Sequence, residues 1–433
     1  MIAKARQYVT THVDSLASIA IRIGGVGLGF VITLFLGKEL GPEAVGQYGI
    51  ITQTGMFLSM LCVGGLDLSV VRSFSEARAS KRLPALNSFI NVIGLLCGLL
   101  GIVMVLMFAL ANIIRAELLE NSAIPLAIVF LSAITIARSF TRLTGSYLRS
   151  QAFYIFGNVV EILIIPVIVV MLILARITET LSSVLMATAL AGLFASLVGV
   201  GVSLTRTSRS PEAMAIPMRP LIKRAVPLWG VAVSKNLSDW YSLAVVASVL
   251  SLYEAGIFRV AMQVASALPV ITLGIFSVFS AKFGMAHTRG DFAEVARLAR
   301  SATALSVLLV VPVGILCTIF ARPLLQVFGP EFNDEFIVLQ VLILGQILYV
   351  CTGPSGLVLA MTGNERINLL FTVVSLAALL VLLPLTARYV GLLGMVIVMS
   401  VILVIRNLAS LAAVRRLTGV NILTGKYHPA ARG

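Results

Sequence analysis

The stretch RTSRSPEAMAIPMRPLIKRA, residues 206–225, holds five basic residues and three prolines in a chain that is otherwise 59% apolar. It breaks the hydrophobic pattern, and the chain reads alike on either side of it. Upstream lie six mostly apolar runs at 15–36, 46–70, 87–113, 124–145, 152–175 and 182–205. Downstream lie six more, at 227–250, 257–279, 302–321, 335–358, 368–387 and 394–413. About 20 apolar residues carry a helix across a bilayer core, and all twelve runs reach that length. None alternates with the period of a barrel strand, so the spans are helical. The expected fold is all-α: a polytopic membrane protein with twelve transmembrane helices in two six-helix lobes around a central cavity. The boundaries are 1–205 for the N-terminal lobe, 206–226 for a basic linker, 227–413 for the C-terminal lobe and 414–433 for a tail.

Composition excludes the soluble alternatives. Of 433 residues only 12% are charged, about half the share that clothes a globular protein. Yet the formal net charge is +14, from 32 Lys+Arg and 18 Asp+Glu. In a soluble chain that excess would point to nucleic acid. Here it sorts by compartment. With the N-terminus in the cytoplasm, 21 basic residues fall in cytoplasmic segments, five outside and six within spans. Such asymmetry over short loops sets orientation, with both termini inside. Acidic residues divide as six inside, nine outside and three within spans or at their ends, leaving about +15 inside, −4 outside and +3 in the membrane. The charge is mostly topology, and no nucleic-acid partner is expected. Lys4 and Arg6 precede the first run as a signal peptide's basic residues would. That run is too long for a signal h-region and lacks a small-residue cleavage site, so it is expected to be an uncleaved span.

The two halves carry a weak internal similarity. Gly46-Gln47-Tyr48 opens the second span and Gly256-Ile257-Phe258 opens the eighth, 210 residues later. With six spans each, the repeats share one orientation and an axis along the membrane normal, which leaves a cavity between them.

Charges inside a bilayer are costly, so those present mark function or an ion pair. Arg22 lies seven residues into the first span, roughly 10 Å deep at the helical rise. Lys235 and Asp239 share one face of the seventh span at i, i+4 spacing. Arg138 and Arg142 form a similar pair in the fourth, Glu161 is mid-depth in the fifth, Arg259 sits near the outer end of the eighth and Arg406 lies in the twelfth. The competing reading for each is structural, an ion pair between helices or snorkelling to the interface. Surplus cations favour an anionic ligand, above all phosphate. Arg22, Lys235, Arg138 and Arg259 are therefore the candidate substrate-binding cations, and Asp239 and Glu161 the candidates for coupling or ion pairing.

Other motifs carry little chemistry. Cys62, Cys97, Cys317 and Cys351 lie within apolar runs without CxxC spacing and read as small core residues. His12, His287 and His428 are scattered, so no metal site is expected. No GxxxxGK[ST], GxSxG or HExxH is present, so neither ATP hydrolysis nor a catalytic centre is expected. Gly25–Gly29 and Gly94–Gly98 have GxxxG spacing for helix packing. Gly353-Pro354 predicts a break in the tenth span, and Asp291 with Glu294 a capping box that starts the ninth.

Several segments, taken in order, resemble one family. Arg22 followed by glycines and Gly37-Lys-Glu-Leu-Gly-Pro-Glu-Ala-Val-Gly-Gln-Tyr-Gly49 resemble the opening of Wzx-type oligosaccharide flippases, within the multidrug/oligosaccharidyl-lipid/polysaccharide exporter superfamily. Val226-Pro-Leu-Trp229 with Asp239, Tyr253-Glu-Ala-Gly-Ile-Phe-Arg259, Ala321-Arg-Pro-Leu-Leu-Gln-Val-Phe-Gly329, and Gly353-Pro354 with Leu359-Ala-Met-Thr-Gly363 extend it along the whole chain. The family commonly has Arg where this chain has Lys38. The resemblance implies a MATE-like, two-lobed transporter that moves an undecaprenyl-diphosphate-linked oligosaccharide to the outer leaflet by alternating access. It also implies a cationic cavity, with Arg22, Asp239 and Arg259 at matching positions. The expected setting is the cell (inner) membrane, with membrane lipid, a polymerase and other glycan-assembly proteins as partners. No cofactor is expected beyond an H+ or Na+ gradient. Three rivals remain. A drug/cation antiporter of the same superfamily would prefer an acidic, aromatic cavity. A membrane-embedded polymerase or glycosyltransferase needs larger outer loops than these. A membrane scaffold leaves the buried cations unexplained.

Overall fold

The computed structural model describes the backbone of residues 2–79, 84–118, 124–208 and 213–428, and their side chains except at 2–16, 19, 77–79, 110–118, 124–125, 227, 228, 231, 235, 273, 277 and 281. The chain is all-α and polytopic. Its helices are α1 (Ile2–Val63), α2 (Leu66–Ala79), α3 (Leu86–Leu118), α4 (Ile124–Ser150), α5 (Tyr154–Asn158), α6 (Ile164–Leu174), α7 (Leu181–Leu204) and α8 (Met218–Val245). They continue as α9 (Leu252–Ala265), α10 (Ala267–Thr288), α11 (Phe292–Ile319), α12 (Ala321–Gln326), α13 (Phe336–Cys351), α14 (Ser355–Met361) and α15 (Glu365–Thr418). A hairpin of β1 (Val420–Asn421) and β2 (Lys426–Tyr427) follows.

Among the described residues, eight helices are long and apolar enough to cross a membrane, or nine when α13 and α14, bent by 43°, count as one span. Eleven of the twelve apolar runs map onto these once length is considered. At 1.5 Å per residue, a helix of 62 residues is about 93 Å long, far more than one bilayer core. Accordingly α1 contains two helices joined at Gly41 (φ 80°), and α15 two joined at Gly391 (φ 78°). The seventh run is α8, which is too polar to pass as a span by composition because Ser234, Lys235, Asn236, Ser238 and Asp239 cluster on it. Large apolar side chains such as Leu106 on α3, Leu197 on α7 and Leu308 on α11 are exposed, as a lipid-facing surface requires.

The chain forms two compact units: Met1–Leu36 with Tyr48–Trp240, and Gly37–Gln47 with Tyr241–Gly433. In the first, Phe74, Phe89, Leu143 and Tyr147 are fully buried, the Tyr147 ring edge-on to Phe74 at 5.2 Å. The linker joins this unit: Ala85 and Leu86 donate backbone hydrogen bonds to Met214 and Ser208, and the Ser69 hydroxyl donates to the Leu221 carbonyl at 2.7 Å. In the second unit, Phe283, Val295, Val414, Val420 and Ile422 form a core around the start of α11. Asp291 caps that helix by accepting from the Glu294 N–H at 2.8 Å. The reciprocal half of the capping box is absent there, because the Asp291 N–H donates to Ala286 and Glu294 pairs with Arg297 instead.

Gly46 and Gly256, the equivalent positions of the two halves, meet inside the second unit. A Cβ on Gly46 would lie 2.0 Å from the Leu252 carbonyl oxygen, and one on Gly256 1.9 Å from that of Pro42. Backbones this close tolerate hydrogen alone. The GxxxG spacings fare differently. Gly25 packs on Ile162, whereas Gly94 and Gly98 have open space where a Cβ would stand, so that pair packs nothing among the described residues. The cysteines also correct the expected core role. Cys62 is buried, but Cys97 and Cys351 are exposed, because those stretches of α3 and α13 face outward.

Candidate functional site

Helix α4 carries three arginines and no acid. Arg138, Arg142 and Arg149 recur at i, i+4 and i+11, which a 3.6-residue turn brings onto one face. Three guanidiniums inside an apolar bundle need partners, and two neighbouring elements supply them.

The first is α2. Two glycines in the left-handed region, Gly64 (φ 59°) and Gly65 (φ 74°), end α1 and restart the chain as α2. The turn sets Asp67 in the first turn of the new helix, where the helix dipole favours a carboxylate. Its Oδ2 accepts from Arg142 Nε at 2.6 Å, with the carboxylate side chain 9% and the guanidinium side chain 27% exposed. Arg142 is thus held in an inter-helix ion pair rather than released to snorkel. One Cβ on Gly65 would lie 2.3 Å from the Ala225 carbonyl oxygen, so α8 closes directly over this turn. Beyond it Glu76 joins Arg224 at 3.0 Å and Arg72 at 3.6 Å. Arg224, hydrogen-bonded to it, holds the Glu76 carboxyl below its ordinary range.

The second element is the π-helical turn Val159–Leu163 between α5 and α6. Gly145 and Gly157 let α4 and α5 touch, since a Cβ on either would lie 2.8 Å or less from the other's carbonyl oxygen. The close approach brings Glu161 against Arg149 as an ion pair. Arg149 also donates to Asn158 Oδ1 at 3.2 Å and Ser146 Oγ at 2.7 Å. Arg138 donates to the Glu161 carbonyl oxygen at 3.4 Å. In the π register the backbone donor to that carbonyl would be residue 166, and Pro166 has no N–H. The widened turn therefore offers an acceptor to Arg138 while its carboxylate serves Arg149. The hydroxyls of Thr135, Ser139 and Thr144 bond back to their own helix at 2.7 Å each, so they need no other partner in lipid. The cluster sums to three cations on two acids. Among the described residues Arg138 is in no ion pair.

The structure shows Arg138 and Glu161 in direct contact. Arg22 is exposed on α1, Asp239 is exposed on α8 and Arg259 is half-buried on α9. Lys235 falls on α8, but its side chain lies outside the described residues. Beside Asp239, Trp240 stacks on Phe57 (centroids 4.7 Å apart, planes 8° apart) and donates to Thr54 Oγ1 at 3.0 Å. The sequence reading missed Asp67–Arg142 and the role of Arg149, which it placed in a loop. The available signal was the i+11 recurrence of arginine through Gly145. In the second unit the predicted break in the tenth span forms at Gly353-Pro354. Asn407 holds it, donating to Thr352 Oγ1 at 2.5 Å and to the Tyr349 carbonyl at 3.1 Å.

The chain is an all-α polytopic membrane protein with ion-paired cations among its helices. Solved structures similar to it agree on the fold. An inward-facing multidrug resistance MATE family transporter of the MOP superfamily aligns at a TM-score of 0.72 and 14% identity, over 92% of this chain and 97% of that one. A Pyrococcus furiosus MOP superfamily transporter, described as having a binding pocket of reversed polarity that suggests a different function, aligns at 0.61 and 12% identity, over 93% and 94%. A Vibrio cholerae MATE transporter aligns at 0.61 and 14% identity, over 98% and 100%. No curated relative matches the chain. The family model described as polysaccharide biosynthesis protein matches residues 14–280, more than half of the chain. The chain therefore belongs to that family, the polysaccharide biosynthesis proteins.

Proposed function

We propose that this transporter moves an undecaprenyl-diphosphate-linked oligosaccharide repeat unit from the cytoplasmic to the outer leaflet by alternating access, for cell-surface polysaccharide export. The family match carries the reading. It is supported by the excess of cations over acids around α4. The diphosphate and acidic sugars contact Arg22, Lys235, Arg138 and Arg259, while the polyprenyl tail stays in lipid. Phosphate accepts charge-assisted bonds from guanidinium and ammonium alike, so Lys and Arg both suit it. Asp239 and Glu161 are the acids that couple lobe movement to an H+ or Na+ gradient or balance neighbouring cations. A drug/cation antiporter would instead need acids in excess. The protein sits in the cell (inner) membrane with both termini cytoplasmic, the orientation favoured by 21 inner against five outer basic residues. There it hands its product to a polymerase and other glycan-assembly proteins.

The test is leaflet-specific labelling of lipid-linked sugar in cells with and without the protein. Loss of outer-leaflet sugar in Arg22→Ala, Lys235→Ala or Arg138→Ala variants that still insert supports the cationic site. Unchanged labelling in all three removes it, and unchanged labelling without the protein removes the flippase reading.

A further inference from the structure

The flippase reading does not use the end of α15. Gly419 (φ 70°) caps this helix, its N–H returning to the Arg415 carbonyl at 3.1 Å, and turns the chain into the β1–β2 hairpin. Burial, hydrogen bonds and a ring stack make the hairpin a fixed wall. Val420 and Ile422 are fully buried in the core at the start of α11. Asn421 Oδ1 accepts from the Leu423 and Thr424 N–H groups at 3.1 Å each. Arg300 donates to the Thr424 carbonyl at 3.3 Å, and Tyr427 stacks on Phe292 with centroids 5.7 Å apart. The His428 N–H closes the loop onto the Gly419 carbonyl at 2.9 Å.

Between this wall and α15 lies a cavity of about 680 Å³, within the usual size of small-molecule sites. It is lined by the basic Arg415, Arg416 and His428 and by the apolar Leu408, Leu411 and Leu423, and the two leucines of α15 precede its arginines by about one to two turns. No carboxylate among the described residues lines it. Among the described residues neither arginine is in an ion pair. The arginines lie just past the last apolar run of α15, and Leu408, about two turns before them, is exposed. A ligand filling the site needs an anionic head continuous with an apolar tail.

We infer that this crevice binds the phosphate of an anionic phospholipid from the leaflet it borders, with acyl chain along α15 and phosphodiester against Arg415 and Arg416. The inference rests on the reading of α15 as membrane-spanning and does not depend on the glycan substrate. A lipid so placed ties the hairpin and the end of α15 to the bilayer surface. Its location matches the general habit of basic pockets at helix ends.

The test is native mass spectrometry of the purified full chain in detergent, titrated with phosphatidylglycerol, with phosphatidylcholine of the same chains, or with inorganic phosphate. Phosphatidylglycerol should be retained over phosphatidylcholine, and the Arg415→Ala/Arg416→Ala variant should weaken that retention by roughly thirty-fold. Arg289→Ala, a basic residue outside the crevice, should leave it unchanged. If the double variant does not fold, Arg416→Ala and His428→Ala singly should each lower retention at an unaltered melting temperature. Equal retention of the two lipids, or retention unaffected by these substitutions, overturns the site. Displacement of the lipid by inorganic phosphate makes it a free-anion site and overturns the lipid assignment. Since the readout needs no transport, its failure is separable from failure of the flippase reading.

Discussion

Breaking the Asp67–Arg142 pair should cost unequal amounts depending on which partner is removed. Two unit charges about 4 Å apart attract by about 4 kcal/mol at an effective dielectric near 20. Burial offsets much of that gain, so the pair's net contribution is small, whereas a charge left behind is expensive, about 3–5 kcal/mol when fully buried. The two residues differ in how well they could be left behind. Asp67 is 9% exposed on a short side chain, whereas Arg142 is 27% exposed on a long one that can turn toward water. Arg142→Met, which strands Asp67, should therefore cost about 3–4 kcal/mol, and Asp67→Asn, which strands Arg142, about 1–2 kcal/mol. The double variant leaves no charge and should cost about 1–2 kcal/mol, well below the sum of the singles. Unfolding in mixed micelles titrated with sodium dodecyl sulfate gives the three values. Equal costs for the singles, or a double variant additive within about 0.5 kcal/mol, would refute the claim that these groups are coupled and differently buried.

Other outcomes follow from the same coordinates. Gly46→Ala and Gly256→Ala place a Cβ about 2 Å from a carbonyl oxygen and should abolish monodisperse protein on size exclusion, while Gly94→Ala, with open space, should leave the melting temperature unchanged or slightly raised. Trp240→Phe keeps the stack on Phe57 but leaves Thr54 without its indole donor, and should lower stability by about 1 kcal/mol in the same micelle titration. The Glu76 carboxyl titrates below its ordinary value of 4.5, so its link to Arg224 contributes above that pH and is lost as pH falls through the depressed value. Glu76→Gln should erase this part of the acid sensitivity in melting scans, and an unchanged acid limb would count against the link.

The all-α, polytopic character was legible because about 20 apolar residues in a row admit one structure in lipid. Where those spans join was legible only in part. Gly353-Pro354 announces a broken helix, since Pro removes a donor and Gly permits φ 72°. Gly64-Gly65 is an equal break, yet it hid inside the run 46–70 because glycine does not interrupt an apolar window. That missed turn begins α2 and aims Asp67, so the error in the fold and the error in the site have one cause. The similarity of Gly46 and Gly256 was readable as a repeat. Their contact was not, because a close approach of two backbones leaves only the absence of a side chain in the sequence.

The charges show the same division. Depth along a helix follows from counting residues, and it marked Arg138 and Glu161 along with Arg22, Lys235, Asp239 and Arg259. Which cation meets which acid depends on the facing helix, and α4 meets α2 on one side and the π-helical turn on the other. Arg149 looked like a loop residue because counting ended the fourth span at 145, while the helix runs on to Ser150 through self-bonded hydroxyls. The extra turn moves Arg149 into reach of Glu161, so of the two readings offered for this acid the ion pair is formed. Pairing changes what Glu161 can do: a proton taken up there must break a bond to Arg149, and the freed guanidinium then joins Arg138 as a second cation on the same face of α4. Coupling through Glu161 would thus raise the affinity of that face for an anion as the acid is neutralised. Coupling through Asp239 alone would leave the α4 cluster unaltered. An anion-binding measurement on Glu161→Gln separates these routes, with tighter binding expected for the first and no change for the second.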